Sequence, residues 1–224
     1  MTAMRISIYK ILALGNGEEA EISLEISNGN ETQYIKGKVS ASMLSSLELP
    51  AILQKPIGVD REKCEEILRS MKLYSAIRKG LDLLGYAKNT AKALLEKLKK
   101  RGYSADIAEA AVFYLLEKGY IREEDDAALF AENLAKKKAY GKQRIRRELF
   151  HKGFPEDVIR LALDSNEIDF SEICLKRIRS MGGIKIFETS EKRKKAIASL
   201  LRYGFSYEDI REAREMLCDE EDEE

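Results

Sequence analysis

Between positions 136 and 147 the chain reads Lys-Lys-Lys-Ala-Tyr-Gly-Lys-Gln-Arg-Ile-Arg-Arg, seven cations and no acid in twelve residues. Such side chains bind phosphates or carboxylates, lysine as a compact point charge and arginine as a planar fork. On a helix Arg144 and Arg147 share a face, opposite Ile145 and Leu149. Two further clusters, Lys97-Leu-Lys-Lys-Arg101 and Lys192-Arg-Lys-Lys195, have the same character. The contact candidates for an acidic partner are therefore Lys136, Lys137, Lys138, Lys142, Arg144, Arg146 and Arg147, with Lys97, Lys100, Arg101, Lys192, Arg193, Lys194 and Lys195 beside them. The plainer explanation is a solvated helical face, since lysine and arginine are good exposed helix formers. The twelve-residue run without an acid favours binding.

Other chemistry is poorly provided for. The single histidine, His151, lies between Phe150 and Lys152 on a face expected to be exposed, with only Arg147 and Glu148 within helical reach. General acid–base work or metal ligation needs convergent partners. Neither GxxxxGK[ST] nor GxGxxG occurs. No catalytic residue, metal ligand or cofactor is therefore expected. Cys64, Cys174 and Cys218 have no CxxC spacing, which suits free thiols in a reducing compartment; Cys174 and Cys218 fall among apolar helix positions. With no apolar run near the roughly 18 residues needed to span a bilayer, and no secretory leader pattern, a cytoplasmic protein without membrane contact is expected.

The formal net charge of zero conceals a segregation. Residues 219–224 are all acidic, and residues 1–60 hold five Lys/Arg against seven Asp/Glu. The body between them carries 34 basic and 26 acidic residues, so a basic body ends in an acidic tail. An acidic partner, nucleic acid or protein, fits that arrangement.

The elements that must position these cations are mostly helical. In the first 40 residues, Ile22, Leu24 and Ile26 alternate with polar neighbours at the period of a half-buried strand. Apolar runs at 6–14 and 34–39 flank it, and Asn16-Gly17 and Asn28-Gly29 supply type I′ turn sequences, so a three-stranded meander is expected. From Asp60, a plausible N-cap followed by Glu62, the pattern turns helical. Ile67, Leu68, Met71, Tyr74, Ile77, Leu81 and Leu84 recur at helical spacing, in one helix or two.

An internal repeat follows. Gly102, Gly153 and Gly204 are each 51 residues apart, in Leu98-Lys-Lys-Arg-Gly-Tyr103, Leu149-Phe-His-Lys-Gly-Phe154 and Leu200-Leu-Arg-Tyr-Gly-Phe205. Each glycine suits the left-handed residue that ends a helix, and the aromatic after it can fold back on the last turn. Leu94/Leu98, Ile145/Leu149 and Ala196/Leu200 form the buried stripes before the turn. After it, Ile107/Ala111, Val158/Ala162 and Ile210/Ala213 begin the next stripes, with one extra residue in the third copy. Ser104, Pro155 and the Ser206-x-x-Asp209 capping box are helix starts. With preceding helical stretches at 74–86, 124–139 and 167–181, the unit is helix–helix–helix. Gly182-Gly183 reads as a loop hinge. The expected fold is mainly α: three tandem three-helix repeats in an elongated curved array behind a small N-terminal β-rich segment. The expected boundaries are 1–59 for the β segment, 60–123 for a linking helix and first repeat, 124–165 and 166–218 for the second and third repeats, and 219–224 for the acidic tail.

These residues resemble the RecX family of regulators of the RecA recombinase. The likeness is carried by Lys118-Gly-Tyr-Ile-Arg-Glu-Glu-Asp125, Phe130-Ala131, Gly141-Lys-Gln-Arg-Ile-Arg-Arg-Glu-Leu149 and Lys152-Gly-Phe154, and extends from about 74 to 214. Ala127-Ala-Leu129, less polar than is usual in the family, and the acidic tail depart from it. The resemblance implies a negative modulator, not an enzyme, acting in DNA repair, homologous recombination and the SOS response. It would lodge as a monomer in the groove of the RecA–single-stranded DNA filament and inhibit recombinase, ATPase and coprotease activities. Lys142, Arg144, Arg146 and Arg147 are then the foremost contacts, with single-stranded DNA a second candidate partner. A general nucleic-acid-binding helical module is the alternative.

Overall fold

A computed structural model describes residues 4–29, 31–164 and 168–222, with side chains through Asp219. The chain divides into two compact units: residues 1–89 with 94–120, and residues 90–93 with 121–224.

The first unit opens with strands β1 (Arg5–Leu14), β2 (Glu19–Ser27) and β3 (Thr32–Ser40), a short helix α1 (Ala41–Ser46) and a three-residue strand β4 (Ile57–Val59). The antiparallel sheet runs β3-β2-β1-β4, so the expected meander has gained a fourth strand. With only three residues, β4 is too short to show a period in the sequence. The turns also differ from the expected type I′ pairs. The positive backbone angles fall on Gly15, Gly17 and Gly29, not on Asn16 or Asn28. Leu14 pairs with Glu19 and Ser27 with Thr32, which leaves four-residue links. The Asn28 side chain instead accepts from the Glu31 N–H at 2.9 Å, the local bonding that favours asparagine in turns.

Ile6, Ile8, Ile11, Ala20, Ile22 and Leu24 bury one sheet face against Cys64, Ile67 and Met71 of α2 (Arg61–Tyr86). The helix is continuous, and the Asp60 carboxylate caps it by accepting from the Lys63 N–H at 2.7 Å. α3 (Ala91–Lys99) and α4 (Ala105–Glu117) follow.

The second unit continues with α5 (Glu123–Lys138), α6 (Lys142–Lys152) and α7 (Glu156–Asp164), then α8 (Phe170–Met181), a 3-10 turn (Gly183–Phe187), α9 (Ser190–Arg202) and α10 (Tyr207–Asp222). The expected start of a helix at 167 falls at the edge of 165–167, which lie outside the described residues. Acidic residues 219–222 continue α10, while 223–224 lie outside the described residues. Gly182, left-handed at φ 119°, ends α8.

Several residues 51 apart share their environments. Gly102, Gly153 and Gly204 take φ of 89°, 93° and 94°. The N–H of the following aromatic returns to the leucine carbonyl four residues before the glycine: Tyr103 to Leu98 at 3.4 Å, Phe154 to Leu149 at 3.2 Å and Phe205 to Leu200 at 3.2 Å. This is the closing bond of a Schellman turn. Leu94/Ile145/Ala196 and Leu98/Leu149/Leu200 are buried, as are Ala76/Ala127/Ile178 in the helices before. After the turn the register needs correction. Val158 is only half-buried, while Ile159 is 1% exposed. Ala108/Ile159/Ile210 and Ala111/Ala162/Ala213 are buried at matching positions, so the third copy carries no extra residue. The small Ala108 concealed this alignment beside the more conspicuous Ile107. The Ser206–Asp209 capping box forms as expected, with the Asp209 N–H donating to Ser206 Oγ at 3.0 Å and the Ser206 N–H to Asp209 at 2.6 Å.

Within the second unit the link between α5 and α6 meets the Gly204 turn backbone to backbone. The Gly141 N–H donates to the Tyr203 carbonyl at 2.8 Å, and the Gln143 N–H to the Gly204 carbonyl at 3.0 Å. A Cβ on Gly141 would overlap the Gly204 carbonyl; one on Gly204 would lie 2.6 Å from Arg144 Cβ. Thr90 stands 51 residues before Gly141 and makes the corresponding contact with the Gly153 turn, its hydroxyl donating to the Lys152 carbonyl at 3.2 Å. Gly102, by contrast, has nothing near its open side. Two alanine substitutions separate backbone conformation from close approach. Gly102→Ala should cost about 1–2 kcal/mol, the price of a left-handed alanine. Gly204→Ala adds a backbone collision and should cost at least about 3 kcal/mol. Chemical denaturation of the two variants measures the difference; equal costs would contradict the contact.

Candidate functional site

The three cationic clusters occupy different parts of their helices. Lys136, Lys137 and Lys138 close α5, where cations favour the helix dipole, and the link turns at Ala139, left-handed at φ 48°. Lys142, Arg144, Arg146 and Arg147 belong to α6, whose first turn contains no acid. Lys192, Arg193, Lys194 and Lys195 lie near the start of α9, beside a single first-turn acid, Glu191. Lys142 and Arg193, like Arg144 and Lys195, are 51 residues apart and hence equivalent. Lys97 is near the end of α3, and Lys100 and Arg101 are in the turn beyond it. The α3 cations therefore sit at the opposite end of their helix from those of α6 and α9.

Several candidates already have partners. Lys142 pairs with Asp164 at 2.8 Å, and Arg146 with Glu156. Lys136 pairs with Glu132, and Lys192 with Glu188 at 2.9 Å. The Lys142 ammonium, by hydrogen bond and charge, holds the Asp164 carboxyl below the usual carboxylate range. Lys97 is half-buried and donates to the Asn89 side chain, and Arg101 donates to the Lys97 carbonyl at 3.1 Å. Lys137, Lys138, Arg147, Arg193, Lys194 and Lys195 are exposed and make no ion pair among the described residues. Lys100 is likewise exposed and unpaired among them. Arg147 shares a shallow cleft with Arg146, Phe150 and His151. His151 is exposed, as expected, with the Phe150 ring at its edge.

Arg144 differs from all of these. Its guanidinium carbon lies 3.9 Å from the centroid of Tyr140 and 5.4 Å from that of Tyr203; Arg177 covers Tyr203 at 3.6 Å. Its side chain is 33% exposed, with Glu148 at 3.9 Å. This alternation of arginines and tyrosines lies beside the Gly141–Gly204 contact and ties α6 and α8 to the turn after α9. The sequence placed Arg144 on the same face as Arg147, but could not show that tyrosines from two separate links converge on it. Tyr140 and Tyr203, 63 residues apart, are the members that sequence reasoning misses, and no spacing in the sequence joins them.

Among the described residues no group of three or more His, Cys, Asp or Glu gathers to hold a metal, and no helix is long and apolar enough to cross a membrane. Cys64 and Cys174 are buried, Cys218 is half-buried, and all three are free thiols. Burial, with a smaller contribution from Asp209, pushes the Cys174 thiol up to about 12.

A small antiparallel sheet followed by helices with a recurrent Gly-capped turn defines the class, a mainly helical protein with internal periodicity. Within that class the similarity is to RecX. Residues 76–115 match the family model described as RecX, first three-helix domain. Regulatory protein RecX of Chlorobaculum tepidum is 32% identical over 93 residues, which span 40% of this chain and 54% of the relative's length. A crystal structure of regulatory protein RecX superposes with a TM-score of 0.71 at 22% identity, over 96% of this chain and 99% of that one. RecX from Lactobacillus salivarius gives 0.60 at 21% identity, over 65% of this chain and 96% of the other. The chain is RecX-like in the sequence of its first helical domain and in fold along nearly its whole length.

Two measurements check the placement of these groups. Arg144→Ala should lower stability by about 1–2 kcal/mol through the lost stacking. Arg147→Ala should change it by no more than about 0.5 kcal/mol, as an exposed site does. Thermal unfolding that ranked them the other way would contradict the assignment. Iodoacetamide at neutral pH should modify Cys218 first, and Cys64 and Cys174 only on unfolding, as read by mass spectrometry of the digested protein.

Proposed function

We propose that this chain is a negative modulator of RecA that binds in the groove of the RecA–single-stranded DNA filament and inhibits its recombinase, ATPase and coprotease activities. The similarity to RecX supports the partner. On this reading three helical repeats follow one another at a 51-residue period, and the protein works as a cytoplasmic monomer without chemistry of its own.

The observation that carries the contact surface is electrostatic. Exposed cations near the start of α9, and in α6, whose first turn lacks an acid, gain nothing from their own helix dipoles, which favour negative charge at that end. Of these, Arg147, Arg193, Lys194 and Lys195 make no ion pair among the described residues, and neither do Lys137 and Lys138 at the end of α5. Exposed and without an ion pair, such groups are available to carboxylates or phosphates of a partner. Lys142 and Arg146 are held by Asp164 and Glu156 and would have to exchange partners on binding. Arg144 shapes the surface more than it touches a partner.

The second reading, a general nucleic-acid binder, draws on the same cations. The two part in what they require. A DNA binder holds single-stranded DNA without RecA, with affinity falling steeply as salt rises. A filament modulator suppresses RecA's DNA-dependent ATPase below one protein per RecA. The expected result is suppression at substoichiometric protein. Combined Lys137→Glu, Lys138→Glu and Arg147→Glu substitutions should raise the required concentration at least about tenfold, with the protein still folded and its melting temperature lowered only by the lost helix-end charge of Lys137 and Lys138. Unaffected ATPase at excess protein, together with tight binding to free DNA, would favour the second reading.

A further inference from the structure

A second cationic surface lies wholly inside the first unit, along the edge of β3. This strand pairs only with β2, so its other side is a sheet edge. No backbone group from another element bonds to Thr32–Val39 on that side among the described residues. The alternation of the strand turns Ile35, Gly37 and Val39 towards the core and Lys36 and Lys38 away from it. α2 approaches closely here because Gly37 has no side chain; a Cβ would lie 2.6 Å from Met71 Sδ. Between strand and helix runs a groove of about 580 Å³, floored by Ile35, Leu68 and Met71.

Its charge is one-sided. Lys36, Lys38, Lys72, Arg78 and Lys79 line it, against Glu19 and Asp82. Both acids are already engaged. Asp82 faces Lys79 at 3.8 Å. Glu19 accepts from the Tyr74 hydroxyl at 2.6 Å and pairs with Arg78 at 3.1 Å and Lys38 at 3.5 Å. The Tyr74 hydroxyl, then Arg78 and Lys38, hold its carboxyl below the usual range, against the opposing effect of burial. Lys36 and Lys72 are exposed and unpaired among the described residues. Two of the five cations, Lys36 and Lys38, come from a segment, residues 1–60, in which acids outnumber bases. One or two lysines suffice to keep an edge strand from pairing with a stray chain. Five cations from two elements over an apolar floor exceed that need.

We propose that this groove binds an extended acidic segment of a partner protein, which adds to β3 as a further strand. Main-chain bonds to the free edge would supply the pairing, and an apolar side chain would rest on Ile35, Leu68 and Met71. Acidic residues on either side would meet Lys36 and Lys72. A nucleic acid would satisfy the charges but not the strand edge, which offers alternating N–H and C=O groups. This reading does not depend on RecA as the partner of the second unit.

The test uses the full chain and a fluorescein-labelled decapeptide, Gly-Glu-Asp-Ile-Glu-Leu-Asp-Glu-Asp-Gly, followed by anisotropy. A second peptide carries proline in place of both apolar residues, and a labelled fifteen-nucleotide oligo-dT is the third probe. Binding of the first peptide is expected, with slowed amide exchange across residues 33–38 and at least about tenfold weaker binding to the proline peptide. Lys36→Glu with Lys72→Glu should weaken it about tenfold or more, whereas Lys137→Glu with Lys138→Glu should not. The milder Lys36→Gln with Lys72→Gln, at unchanged melting temperature, should weaken it in the same direction. Equal binding of both peptides, unchanged exchange at 33–38, or capture of oligo-dT but not peptide by the Lys36/Lys72 surface would each overturn the proposal.

Discussion

Much of the second unit depends on two turns being narrow enough for another stretch of backbone to reach them. At Gly204 the approaching chain is Gly141–Gln143, and two main-chain hydrogen bonds form there. At Gly153 it is Thr90, which uses its hydroxyl for a corresponding bond. A glycine that ends a helix in the left-handed region has one use in local structure, and here it has a second in packing. With no Cβ, the turn is both conformationally accessible and open to a neighbour. The alternating arginines and tyrosines around Gly141 and Gly204 then fix side chains over a joint made from backbone.

That joint also separates cations that shape the surface from cations that can leave it. Arg144 stacks on the Tyr140 ring beside Tyr203, whereas Arg147, one turn on, is exposed and makes no ion pair among the described residues. The two were indistinguishable by type and spacing. In the proposed function the first sets the geometry of α6 and the second supplies charge to the partner. Only the positions of their neighbours divide the cations in this way.

The sequence made the helical character legible because the same few restrictive residues recur at a fixed interval. Gly102, Gly153 and Gly204 took the left-handed conformation their spacing implied, and the Asp60 and Ser206–Asp209 caps formed. Where it misled, weak local signals were competing. Val158 was preferred to Ile159 for the buried stripe because both are apolar and adjacent, and only packing chooses between them. The Asn-Gly pairs suggested tight turns, but four-residue links placed the positive angles on glycines alone. Ion pairs such as Lys142–Asp164 and Arg146–Glu156 join residues 22 and 10 positions apart, beyond any spacing rule for one helix.

The most direct test of the central proposal is amide hydrogen exchange of this chain, alone and bound to RecA–single-stranded DNA filaments. Slowed exchange is expected at 137–148 and 190–197, with little change along α4. Protection confined to α4 and the sheet, with 137–148 and 190–197 exchanging as in the free protein, would contradict it.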